Sequence, residues 1–258
     1  MSKRVYRIIL WAVLAVLAAL FVLVYCAESD SRGMSTCSGL KVEFCDPFNF
    51  VTEDDIRACL DKGYGAYVGQ RVDSVDIYRM EDMLDKQSAV LKSEVYLTPD
   101  GKLNVLIRQR EPVIRFQKGN IGFYADERGY IFPLQSKYTA NVPVVDGDLP
   151  IRYREGFRGE PESPEEAAWL RGVLELLDYI SKSRTWSDGI VQMSVSGRDG
   201  LILVPRSGKE KFIFGYPDDI PQKFSRIEKY YQYIRPEKGA GCYSTVNVKY
   251  DGQIVCRK

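Results

Sequence analysis

The longest apolar run in the chain lies near its start. Residues 8–25 read IILWAVLAVLAALFVLVY and carry no charged side chain. A helix of this length spans about 27 Å, close to the hydrocarbon thickness of a bilayer. Three basic residues precede the run, namely Lys3, Arg4 and Arg7. Two acidic residues, Glu28 and Asp30, follow it. The positive-inside rule then predicts a cytoplasmic tail at residues 1–7, one transmembrane helix at 8–25, and a C-terminal bulk on the periplasmic side of an inner membrane.

Two other interpretations of this segment stay open. A cleaved signal peptide has a small-x-small site at Ala27-Glu28-Ser29, but its apolar core is normally only about 7 to 15 residues long. A lipoprotein signal would modify Cys26, but the bulky Tyr25 stands where a small residue normally precedes that cysteine. We therefore favour a retained anchor, followed by a polar, Ser- and Gly-rich linker at residues 26–39.

The hydrophobic pattern of residues 40–110 predicts a small mixed domain. Thr52 with Asp55 forms a near capping box ahead of an apolar helix face that ends at Gly63. Alternating apolar residues flank a turn at Pro99-Asp100-Gly101, which is typical of a hairpin. The predicted order is β-α-α-β-β, with a strand at 40–45, helices at 52–63 and 76–86, and two closing strands.

Residues 111–258 are richer in predicted strands. Short apolar segments between Gly, Asp and Pro turns predict strands at 121–124, 129–132, 190–195, 201–204 and 212–214. Ser163 and Pro164, with Glu166 as the capping-box acid, begin a helix that continues through Trp169 to Ile180. A second helix after Pro221 places Phe224, Ile227, Tyr231 and Ile234 on one side.

The end of the chain predicts a tight hairpin. A two-residue Asp251-Gly252 loop joins strands at 243–249 and 253–257, and pairs Tyr250 with Gln253 and Val248 with Val255. The overall fold class is therefore α+β, with a single N-terminal transmembrane helix, a β-α-α-β-β domain at 40–110, and a β-rich domain with flanking helices at 111–258.

Composition narrows the function classes. The 36 basic and 35 acidic residues are mixed along the chain, so a nucleic-acid partner is not expected. Histidine is absent, and the six cysteines form no Cys-x-x-Cys pair, which argues against a metal site or a cofactor. Spacing leaves open a disulfide such as Cys45 with Cys59, although small buried thiols are favoured.

An envelope hydrolase is a weaker hypothesis. Its candidate acids, Asp126 and Glu127, lie in a turn with Gly129, where acids commonly serve structure. The glycines at 63, 65 and 69 are too loosely spaced for a phosphate-binding loop. We therefore expect no enzyme activity, and we read Arg108 and Arg110 as solvated strand residues without a functional role.

Four motifs follow one another along the folded part of the chain. They are FVTEDDI at 50–56, DGKLNV with QREPVIR at 100–115, YADERGYIFPL at 124–134 and VKYDGQIV at 248–255. In this order, behind a single anchor, they resemble the FtsQ/DivIB family of bacterial division proteins, whose first folded unit is a POTRA domain. The resemblance covers essentially the whole chain, although the short cytoplasmic tail departs from some members.

The resemblance implies a non-catalytic scaffold in the inner membrane of a dividing bacterium. Such a scaffold binds FtsB-type and FtsL-type coiled-coil partners through its distal β-domain, while the POTRA side takes part in recruiting other division proteins. It also implies that an arginine near the position of Arg198 meets an acidic partner residue. A generic POTRA-containing envelope protein of assembly or secretion is the alternative, although no run of membrane strands follows here.

The last strand is the predicted docking element. With Tyr250 opposite Gln253, the N–H groups of Gln253 and Val255 point inward, and those of Ile254 and Cys256 point to a free edge. A partner strand would add there through main-chain hydrogen bonds, with Tyr250 and the apolar edge side chains fixing its register. The competing interpretation is an ordinary hairpin whose charged end, Arg257 and Lys258, prevents edge aggregation.

Overall fold

A computed structural model of the chain describes residues 11, 13–24 and 36–258. Helix α1 covers residues 11 and 13–24 of this part. Among the described residues, no helix combines the length and the apolar character that crossing a membrane requires. The predicted tail at 1–7, both ends of the predicted span at 8–25, and residues 26–35 of the predicted linker lie outside the described residues.

The first compact unit ends at Gln109 and has the predicted β-α-α-β-β order. Its three-stranded sheet has the order β1-β3-β2, with β1 parallel and β2 antiparallel to β3. The elements are β1 (Gly39–Phe44), α2 (Glu53–Gly63), a 3-10 turn (Val72–Ser74), α3 (Ile77–Asp85), β2 (Val90–Leu97) and β3 (Lys102–Gln109).

Side-chain caps start both helices of this unit. Thr52 and Asp55 form the capping box at α2, and the Asp76 carboxylate accepts the N–H of Arg79 at α3. The two helices bury apolar faces against the sheet in one core, which includes Ile56, Leu60, Met80, Leu84, Val105 and Ile107. Thr36 and Cys37, expected in the linker, instead bond to residues 69–71 of this unit, and Cys37 is buried.

The second compact unit begins at Arg110 and is built on a nine-stranded mixed sheet. The strand order is β12-β11-β10-β9-β8-β7-β4-β5-β6, and the pairs β4–β7, β7–β8 and β10–β11 are parallel. The strands are β4 (Pro112–Lys118), β5 (Ile121–Asp126), β6 (Ile131–Pro133), β7 (Val144–Gly147), β8 (Ile190–Ser196), β9 (Gly200–Pro205), β10 (Lys211–Gly215), β11 (Thr245–Asn247) and β12 (Val255–Arg257). The α+β class is therefore confirmed.

Helix α4 (Pro164–Lys182) packs the predicted face against this sheet, with Trp169 and Ile180 both buried. Its cap differs in one detail from the prediction. Ser163 accepts the N–H of Glu166, but the Glu166 carboxylate accepts the N–H of Arg152 rather than that of the cap residue. The capping-box role of Glu166 is therefore wrong, because its side chain fastens an upstream loop instead.

The last helical segment changes its winding partway. Helix α5 (Ile220–Lys229) continues into a π-helix (Tyr230–Ile234) and a short α6 (Arg235–Lys238). A π turn rotates the following side chains relative to an α-helix. Tyr230, three residues after Ile227, is the fully buried residue, whereas Tyr231, predicted on the apolar face, is only partly buried.

The described cysteines are free thiols, namely Cys37, Cys45, Cys59, Cys242 and Cys256. A Cys45–Cys59 disulfide is therefore not formed in this structure. Cys59 lies beside the side chain of Gln87, whose Nε2 is 3.1 Å from the sulfur. The expectation of buried thiols holds for Cys37 and is wrong for the exposed Cys45.

Candidate functional site: the open edge of strand β12

Strand β12 is the last strand of the chain and lies at one end of the nine-stranded sheet. It pairs with β11 on one side, and no strand within residues 36–258 pairs with its other side. The opposite edge of the sheet, at β6, has a backbone partner. There Ile131 of β6 exchanges both backbone hydrogen bonds with Gly159, at 2.8 and 2.9 Å. The edge at β12 is open, whereas this second edge is partly closed.

The predicted register of the terminal hairpin is wrong by one residue. Asn247, rather than Val248, lies opposite Val255, and Val246 lies opposite Cys256. Each paired strand is only three residues long, so the connection is longer than an Asp-Gly turn. The pairing of Tyr250 with Gln253 therefore does not occur within a strand.

Arg226 of α5 explains the longer connection. Its Nε donates to the carbonyl oxygen of Val248 at 2.9 Å, and its Nη1 lies 3.0 Å from the Asp251 carboxylate. The N–H of Val248 donates to Ile213 of β10 at 3.0 Å. Both backbone groups of Val248 are thus already used, so this residue is not free to pair with the last strand.

The direction of the β12 amides follows from the same bonds. Backbone groups along a strand alternate sides, so Val246 faces β10 as Val248 does, while Thr245 and Asn247 face β12. Their partners, Arg257 and Val255, therefore point their N–H groups at β11. The N–H of Cys256 points to the open edge, as predicted, although the predicted register is wrong.

The predicted contact residues surround this edge. Tyr250 and Gln253 lie in the exposed loop before β12, and the Lys249 ammonium is 5.0 Å from the centre of the Tyr250 ring. Val255 is 37% exposed, whereas Ile254 and Cys256 turn toward the core and are half-buried. Ile254 precedes the strand as the structure defines it. Burial, and secondarily the nearby Cys242, raises the pKa of the Cys256 thiol, so it stays neutral.

Arg198 is exposed in the turn between β8 and β9. Gly200, the first residue of β9, lies against the backbone of Gly215, and Gly215 lies against the side chain of Lys249. These contacts place Arg198 at the same ends of the strands as the loop that carries Tyr250. Arg198 and the loop before β12 therefore lie at the same end of the strands.

A shallow groove continues from this loop onto α5. It encloses about 680 Å³ and is lined by both elements, including Gln222, Arg226, Lys229, Asp251, Gln253 and Ile254. Arg226 is the residue that sequence reasoning missed. The helical pattern gave no signal for it, because Arg226 is buried through its contacts with Val248 and Asp251, which are far from it in the chain.

The candidate acid of the hydrolase hypothesis has a structural role. Asp126 accepts the N–H groups of Arg128 and Tyr130 at 3.0 and 2.9 Å, and its carboxylate pairs with Arg110 at 3.0 Å. The Arg110 guanidinium also lies 3.5 Å from the centre of the Tyr130 ring. Arg110 is therefore a partly buried structural residue, paired with Asp126, rather than the solvated one that we expected. No cluster of potential metal ligands occurs among the described residues.

The fold defines a class of two-unit α+β proteins, in which a small β-α-α-β-β unit precedes a β-rich unit with an open last strand. Residues 35–108 match a model for a POTRA-like domain. Residues 111–257 match the family model described as FtsQ/DivIB, C-terminal related. Because this match covers more than half of the chain, the protein belongs to the FtsQ/DivIB family. Comparison with curated proteins gave no match.

The family assignment indicates the general role. FtsQ/DivIB proteins are non-catalytic division scaffolds, so the domains of this chain point to a function in cell division.

Proposed function

We propose that this protein is a non-catalytic division scaffold that binds FtsB/FtsL-type coiled-coil partners by strand addition at β12. The observation that carries the proposal is the open edge of β12 at the end of a nine-stranded sheet. An unpaired strand edge is a template for another strand, and added strands use its outward N–H and C=O groups. Recruitment of these partners would link early and late division proteins.

Side chains beside the edge supply the specificity that main-chain bonds lack. A single hydrogen bond contributes only about 1 kcal/mol net, so a short added strand needs further contacts. The exposed Tyr250 and Val255 offer apolar surface next to the edge. Arg198 and Lys249 offer positive charge at the same end of the sheet, which favours an acidic partner segment.

The membrane placement is part of the same proposal. The uncharged run at residues 8–25, with basic residues before it and acidic residues after it, supports an inner-membrane anchor with a cytoplasmic N-terminus. Both folded units would then lie in the periplasm, where the coiled-coil partners expose their distal ends. The POTRA-like unit is available there for other division proteins.

A matched pair of variants at one position tests the proposal. Cys256→Pro removes the outward N–H, and proline is tolerated at an edge where that N–H faces solvent. Cys256→Ala also removes the thiol but keeps the N–H. Binding of the periplasmic segment of the FtsB/FtsL-type partner should fall about tenfold for Cys256→Pro alone, because a partner carbonyl left without its donor costs about 1–3 kcal/mol and about 1.4 kcal/mol is tenfold. Equal binding by both variants, with circular dichroism showing both folded, would place the partner elsewhere.

A further inference from the structure

A second edge strand, in the POTRA-like unit, carries a feature that β12 lacks. Strand β2 pairs with β3 on one side, and its outer side faces helix α3. The N–H of Ser93 donates to the Asp85 carboxylate at 2.7 Å. The N–H of Val95 donates to the Glu81 carboxylate at 2.8 Å. Two consecutive outward amides of this edge are therefore already bonded to side chains of α3.

The spacing of the two acids matches the strand. Glu81 and Asp85 are four residues apart and so lie on one face of the helix. Ser93 and Val95 are two residues apart, so their backbone N–H groups point to the same edge of β2. Four helical residues rise about 6.0 Å and two strand residues span about 6.8 Å, a difference that flexible carboxylate side chains absorb. The match lets each carboxylate reach its own amide.

Asp85 is held in place from several directions. Its Oδ1 also accepts the Ser93 hydroxyl at 2.7 Å, and its Oδ2 pairs with the Lys92 ammonium at 3.0 Å. Burial acts to raise the pKa of Asp85, but the hydrogen bonds from Ser93 and the contact with Lys92 outweigh it and lower that pKa. The carboxylate therefore remains an ionised acceptor at neutral pH. Ser93 is fully buried beneath it.

We propose that Glu81 and Asp85 form a built-in cap that closes the β2 edge against strand addition. An incoming strand at β2 must displace two charge-assisted hydrogen bonds before it can make its own. At β12 no strand pairs with the outer edge among the described residues. The β2 edge is therefore closed by side chains, whereas the β12 edge is open. The POTRA-like unit can pair a partner strand with β2 only after the Glu81 and Asp85 carboxylates release the two amides.

Hydrogen exchange of the full chain, without any partner, tests the cap directly. Asp85→Ala should accelerate exchange of the Ser93 amide at least tenfold, and Glu81→Ala should do the same for Val95. The matched control is Asp82→Ala, on the same helix, whose carboxylate is exposed and pairs with the exposed Lys86. This control should leave both amides unchanged. Fast exchange at Ser93 and Val95 in the wild type, or no acceleration in the Ala variants, would overturn the proposal.

Conservative variants separate the cap from a general loss of folding. Asp85→Asn and Glu81→Gln keep an oxygen acceptor, so each should restore most of the protection that the matching Ala variant loses.

Sedimentation velocity of the Glu81→Ala, Asp85→Ala double variant should show more self-association with rising concentration than the wild type or Asp82→Ala. A double variant with fast-exchanging amides and unchanged sedimentation would contradict the closing role. Since no partner is present, these results are independent of partner docking at β12.

Discussion

Arg226 fixes the shape of the candidate site at the scale of a single residue. Its side chain is about nine-tenths buried, and its guanidinium donates to the carbonyl oxygen of Val248. Val248 lies just after the end of β11. Asp251, the ion-pair partner of Arg226, is fully exposed, so the ion pair itself contributes little because water screens it. The hydrogen bond to the Val248 carbonyl therefore accounts for most of the stabilisation that the Arg226 side chain provides.

Removal of this side chain should destabilise the second unit. We expect Arg226→Ala to lower its free energy of unfolding by roughly 1–3 kcal/mol, because the Val248 carbonyl loses a charged donor in a buried site. Lys182→Ala is the matched control, since it breaks only an exposed ion pair with Asp178 and should cost less than about 0.5 kcal/mol. Urea unfolding followed by the fluorescence of Trp169 and Trp186 measures both. Equal effects of the two variants would contradict this role of Arg226.

At the scale of elements, local signals predicted most helices and strands. The predicted caps at Thr52 and Ser163 lie where the structure starts its helices, and the helix predicted from residue 76 begins there too. Strand β4 was missed although its residues do alternate, with Ile114 and Phe116 buried and their neighbours partly exposed. Strand β7 was missed for a different reason. It is four residues long and is stabilised by parallel neighbours on both sides, which no local pattern reveals.

The end of β7 offers a test of this non-local pairing. Gly147 has a φ of +99°, and an added Cβ would collide with the backbone carbonyl of Val195 in β8. Gly156 has a φ of +79°, but nothing lies within 4 Å of its Cβ position. Gly156→Ala should therefore cost only the left-handed penalty of about 1–2 kcal/mol. Gly147→Ala should cost about 1–3 kcal/mol more in urea unfolding, because the β7–β8 contact must shift as well. Equal costs would show that the β7–β8 approach is looser than described.

At the scale of the whole molecule, the chain divides into two units with separate hydrophobic cores. The division falls between Gln109 and Arg110, and the two family matches cover 35–108 and 111–257. Sequence reasoning reached the α+β class and the β-α-α-β-β order from periodicity and turn signals. It also identified the last strand and the outward amide of Cys256. It could not reach the parallel β10–β11 pair or the true hairpin register, because both depend on contacts of residues far apart in the chain, such as Arg226 with Val248.

The central claim is that a partner strand adds to the open edge of β12. Hydrogen exchange at the Cys256 amide, compared with and without the bound FtsB/FtsL-type segment, tests this most directly. Free Cys256 should exchange fast because its N–H faces solvent, and it should slow at least about tenfold in the complex. The amide of Val255, already directed at β11, should change little by comparison. A saturated complex in which the Cys256 amide still exchanges at its free rate would contradict docking at this edge.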